Sequence, residues 1–100
     1  MYVNVMESAA VERLLHVILN LETPEECRRF FEDICTIREI QDMAQRLEVA
    51  VLLREGKNYQ EISAQTAVSS ATISRVNRCL LYGGGGYREA LDKYEAEGKQ

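Results

Sequence analysis

At 100 residues, 46% of them hydrophobic and 28% charged, the chain has the composition of one globular domain and not of a disordered segment. No apolar run reaches the roughly 18 residues a membrane span requires, and no secretory leader is present, so a cytoplasmic protein is expected. The cysteines Cys27, Cys35 and Cys79 are odd in number, form no CxxC pair and have no matching histidines, which argues against a disulfide framework or a zinc site and fits reduced thiols.

Nothing in the chain alternates cleanly with period two, and the reading is all-α throughout. The first helix is expected from Val11 to Glu22. Its polar residues Glu12, Arg13, His16 and Asn20 project into one stripe at 100° per residue, while Val11, Leu14, Leu15, Val17, Ile18, Leu19 and Leu21 fill most of the remainder. Such a helix is surrounded and not merely docked. A chain this short buries only a modest core alone, so a second chain is expected to supply some of the cover. His16 lies in the polar stripe and reads as solvated.

Three later helix starts carry the capping-box pattern, at Thr23 to Glu26, Thr36 to Glu39 and Asn58 to Glu61. Pro24 stands at a first helical position, where its missing amide hydrogen costs nothing. The helix it opens should run to about Cys35 and bury Cys27, Phe30, Phe31, Ile34 and Cys35. The third, from about Ile37 to Glu55, should turn Ile40, Met43, Ala44, Leu47, Ala50 or Val51, and Val51 or Leu52 inward and end at Gly56 as a left-handed cap. The run Gly83 to Gly86 reads as a flexible connection or as a place of close backbone approach to phosphates. A last short helix, 87–97, follows it. The single domain thus divides into a core at 1–56, a corner of two helices at 58–82 and the C-terminal helix.

The corner, NYQEISAQTAVSSATISRVNRCL from Asn58 to Leu80, has the spacing of a helix-turn-helix unit. With Tyr59 as the first position, apolar residues are needed at positions four, ten, fifteen and eighteen, and Ile62, Val68, Ile73 and Val76 stand there. Small residues fill the helix contact and the turn, at Ser63 and Ala67. The turn position usually holds glycine because the backbone there tends to positive φ, so Ala67 is a departure. Ser69 should cap the second helix and leave Ser70, Ala71, Ser74 and Arg75 on or near its exposed face. A plain helical hairpin with capping serines is the alternative. Charge helps to choose: residues 1–56 carry six basic and eleven acidic side chains, a balance of −5, whereas Lys57 to Arg78 carry three basic and one acidic, a balance of +2. A small positive region on an acidic body suits defined base contacts, because weak counterion release gives little affinity for random DNA.

LLREG at Leu52 to Gly56, followed by YQEIS and by ATISR at Ala71 to Arg75, resembles the Trp repressor family, in particular its YerC/YecD-type members. The resemblance covers Thr36 to Leu81 well and the flanking helices by pattern. It implies a six-helix fold, an intertwined bacterial homodimer, and two reading heads that enter successive major grooves of a palindromic double-stranded operator, with repression the expected mode. DNA contacts would fall to Gln60 and Ser63 on the first helix of the corner and to Ser69, Ser70, Ala71, Ser74 and Arg75 at the second.

In the parent family tryptophan sets the angle of the head. Arg75 matches an arginine that stacks on the ligand ring, but Gln45 occupies the place of the second such arginine, with Arg46 beside it, and Val76 replaces a glycine at the indole slot. Overpacking a tight site costs about 1–3 kcal/mol, so L-tryptophan is expected to bind weakly or not at all. No cofactor is expected. Gln45, Arg46, Arg75 and Val76 could instead shape a pocket for an unknown small-molecule effector. No metal-ligand cluster, phosphate loop or nucleophile motif points to catalysis. The competing class is a helical protein–protein adaptor that does not bind DNA.

Overall fold

Helix boundaries follow the capping residues. Residues 4–98 are described in the computed structural model, and they form two compact units that divide between Arg38 and Glu39. The elements are a 3-10 turn at Val5–Glu7 and helices α1 (Ala9–Leu19), α2 (Pro24–Ile34), α3 (Ile37–Arg54), α4 (Tyr59–Thr66), α5 (Ser70–Tyr82) and α6 (Gly86–Gly98), with no strand among the described residues.

In the first unit, Ser8 caps α1 by accepting from the amide of Val11, and α1 stops at Leu19, earlier than the expected Glu22. Asn20 is its C-cap, with an amide that donates to both the His16 and Val17 carbonyls as the last turn tightens. Thr23 accepts from the Glu26 amide at 3.1 Å as expected, but the Glu26 carboxylate accepts from Glu22 at 2.7 Å instead of closing the box on Thr23. Phe30 and Phe31 meet edge to face, with ring centroids 5.3 Å apart.

The burial expected for this unit is not reached within the chain. Val11, Leu14, Ile18 and Leu21 form a half-buried stripe at helical spacing, and Cys27, Phe30, Phe31 and Cys35 are half-buried as well. No residue of α1 or α2 is fully buried, and Leu19 and Ile34 are 77% and 52% exposed. Two helices of 11 residues each have too little surface to enclose one another.

The second unit closes its own core. Val49, Ala50 and Leu52 from α3, Ile62 from α4, Val68 from the turn, Ile73, Val76 and Leu80 from α5 and Leu91 from α6 are buried, and Val51, Leu53 and Tyr87 pack against them. Only the last turns of α3 take part. Met43, Ala44 and Leu47, expected inward, are exposed, and Ile40 is half-buried. The earlier turns of α3 therefore carry an apolar face that this single chain leaves open.

Gly56, at φ 89°, ends α3 as expected. Lys57 N–H donates to Leu52 O and Gly56 N–H to Leu53 O, the two bonds of a Schellman cap. Within the glycine run, Gly83 and Gly85 hold defined positions. Gly83 N–H donates to Cys79 O at 2.9 Å, and a Cβ on Gly83 would lie 2.5 Å from that same oxygen. Gly85 is buried with φ +93° and accepts from the Glu89 amide as α6 begins. Arg54 fastens α6 from the end of α3, reaching Asp92 at 2.7 Å, Glu95 at 3.3 Å and the Arg88 carbonyl at 3.4 Å. The Asp92 hydrogen bond, with the charge of Glu95 beside it, holds the Arg54 pKa above its ordinary value. Arg88 in turn donates to the Leu80 carbonyl.

Candidate nucleic-acid interface

The corner is built by caps at both ends and by one hydroxyl inside it. Asn58 opens α4 with a complete capping box: its side chain accepts from Glu61 N–H, and the Glu61 carboxylate accepts from Asn58 N–H, each at 2.9 Å. At the other end of α4, Ala67 adopts φ 60° and ψ 19°, the left-handed conformation that usually selects glycine. The Thr66 hydroxyl spans this turn, donating to Ile62 O at 2.7 Å and accepting from Val68 N–H at 3.2 Å. Ser69 then caps α5 by accepting from Thr72 N–H at 3.3 Å.

The four apolar positions of the corner are all interior. Ile62 and Ile73 are fully buried, with Val76 and Val68 nearly so, at 2% and 7% exposure. Burying them fixes what faces outward. Ser70, Ala71, Ser74 and Arg75 are exposed on α5, as are Ser69 at its cap and Gln60 and Ser63 on α4. Short side chains along Ser70, Ala71 and Ser74 leave the backbone of α5 close to whatever meets that face. The helix contains arginines and no acidic residue.

Beside the turn is a recess of about 280 Å³ lined by Asp42, Gln45 and Arg46 of α3, Ala67, Val68 and Ser69 of the turn, and Thr72 of α5. It brings Gln45 and Arg46 together, as the effector reading requires, and adds Asp42 and Thr72, which that reading lacked. Arg75 and Val76 do not line it. Arg75 is exposed on α5, and the Val76 side chain belongs to the core.

A family model described as Trp repressor protein matches residues 9–95. The chain belongs to the Trp repressor family. Its sequence is 52% identical over 93 residues to YerC of Bacillus subtilis (strain 168), an uncharacterized protein, covering 93% of this chain and 89% of that one. A TrpR-like protein from Eubacterium eligens ATCC 27750 superposes with a TM-score of 0.85 at 48% identity, over 88% of this chain and 91% of the other. A Trp repressor candidate from Staphylococcus aureus gives 0.86 at 43% identity, with 93% of each chain covered. The Trp repressor family is one of helix-turn-helix regulators, and this all-α chain shares its fold. Among the described residues no helix is long and apolar enough to cross a membrane, and no group of three or more His, Cys, Asp or Glu could hold a metal ion.

Proposed function

We propose that this chain is a sequence-specific transcriptional regulator of the bacterial cytoplasm that binds a palindromic operator as a homodimer and represses by occupying it. One observation carries the reading: the apolar face of α5 is buried while Ser70, Ala71, Ser74 and Arg75 form an exposed, acid-free stripe on its other side. Side chains this short admit base edges directly or through water, and Gln60, Ser63 and Ser69 stand where backbone contacts fix the approach. The apolar surface left open on α1 and on the early turns of α3 is what a second chain would cover, and a two-fold dimer sets half-sites about one helical turn apart.

Selection from a random duplex pool tests this reading. The protein should enrich a palindrome, and Ala71→Glu should abolish that preference while helical circular dichroism stays unchanged. Binding without sequence preference, or none at all, would favour the adaptor role.

L-tryptophan is not the effector in this proposal. The Val76 side chain packs into the core of the head and itself acts as the wedge that a ligand ring provides in the parent family, so the heads hold a DNA-competent angle unaided. A ligand changes operator affinity only as far as it prefers one head arrangement. Operator affinity on the order of 10⁻⁸ M, unchanged by tryptophan, is expected. Tightening of tenfold or more, about 1.4 kcal/mol of coupling, would overturn the wedge. Weak binding with and without tryptophan would point to an effector seated against Gln45 and Arg46. Repeating the titration with Val76→Gly shows whether removing the wedge creates a tryptophan response.

A further inference from the structure

We propose that Arg78 is a phosphate anchor that seats the far end of α5 on the DNA backbone, an inference that rests on the DNA-binding reading above. Arg78 follows Ala71 by seven residues. At 100° and 1.5 Å per residue it points within about 20° of the same direction and lies roughly 10 Å farther along the axis. Ala71, Ser74, Arg75 and Arg78 therefore form one stripe at i, i+3, i+4 and i+7, and all four are exposed. Its first three members suit the groove floor. A helix that enters the major groove by its N-terminal residues meets the sugar–phosphate wall two turns later, because the groove is only about 8.5 Å deep and 12 Å wide. Arg78 is at that level.

The state of the arginines supports the assignment. Arg54 is engaged by Asp92, Glu95 and the Arg88 carbonyl, and Arg88 donates to Leu80 O, so both serve the fold. The side chains of Arg75 and Arg78 have no hydrogen bond or ion pair among the described residues. In a chain with 16 acidic and 12 basic side chains, internal carboxylate partners are plentiful. α5 denies them to its arginines by carrying no acidic residue of its own. A guanidinium left unpaired beside a reading stripe is available to a phosphate, which it binds through two parallel N–H bonds. The competing role is internal: a cation near the C-terminal end of α5 that stabilises the helix dipole.

Salt dependence separates the two roles. Affinity for the selected palindrome and for a scrambled duplex is measured between about 50 and 200 mM salt for the unaltered chain, Arg78→Ala and Arg78→Lys. Each phosphate contact contributes about 0.9 to the slope of log K against log salt, so a dimer losing two should show a slope shallower by about 1.8. The preference for the palindrome over the scrambled duplex should be unchanged, and Arg78→Lys should restore most of the slope by keeping the charge. An unchanged slope in Arg78→Ala overturns the anchor, and so does a collapse of sequence preference, which would make Arg78 a base reader. A drop in urea midpoint with no change in slope assigns Arg78 to the helix end and likewise overturns it. Absence of duplex binding by the unaltered chain is a different result, because it removes the DNA-binding reading itself.

Discussion

The two units on either side of the Arg38–Glu39 division respond to opposite demands. α1 is the more apolar helix, AAVERLLHVIL, yet buries nothing fully in this chain, while α4 and α5, rich in serine, threonine and glutamine, enclose Ile62, Ile73 and Val76. Apolar content therefore does not measure self-sufficiency. The second unit succeeds because five segments converge on one small cluster, each contributing one to three side chains. The first unit spreads its apolar residues around a helix, and two helices can cover only one stripe of that surface. Leu15, Val17 and Leu19 remain exposed at 38%, 39% and 77%, in the proposal because their cover comes from a second chain.

The most severe way to break this contrast is to charge the first region. Leu15→Asp with Ile18→Asp should convert a two-chain species to monomers or unfolded chains in sedimentation velocity at micromolar concentration. A stable, well-folded monomer of the unaltered protein would remove the need for a second chain. Within the second region, Ile73→Ala empties a fully buried site and should cost about 2–5 kcal/mol in urea unfolding. Asn58→Ala removes an exposed cap and should cost about 1 kcal/mol by the same measurement. The smallest change should be a gain. Ala67→Gly relieves a left-handed alanine but adds freedom to the unfolded chain, and a net stabilisation of about 0.5–1 kcal/mol is expected. A loss of stability would mean that the Ala67 methyl group contributes packing that outweighs its backbone strain.

Local patterns were legible where both members of an interaction lie within one or two helical turns. Ile62, Val68, Ile73 and Val76 could be assigned inward because helix-turn-helix spacing fixes them relative to Tyr59. The Asn58 to Glu61 box could be read because it closes on itself. Reading failed where the outcome depends on something outside the segment. Met43 and Leu47 have the periodicity of buried residues, but nothing in that pattern says whether the cover comes from the same chain. Glu26 reached back one residue farther than its box implied, since the Glu22 amide had been freed by the end of α1. The recess at the turn was half visible, with Gln45 and Arg46 named and Asp42 and Thr72 missed, because it joins α3 to a turn more than 20 residues away. Thr66 was missed for a different reason: a threonine at the end of a helix gives no sign that its hydroxyl will be used as both donor and acceptor.

The local construction of the head also has a consequence in time. Its buried side chains lie mostly between Val49 and Leu80, joined by two short turns, so little chain must be closed before they meet. Local topologies fold quickly. The corner should therefore form in a fast step whose rate is independent of protein concentration, ahead of any step that brings two chains together. Pulsed hydrogen exchange during refolding would show amides of α5 protected first at every dilution. Protection of α1 should come later and accelerate as concentration rises.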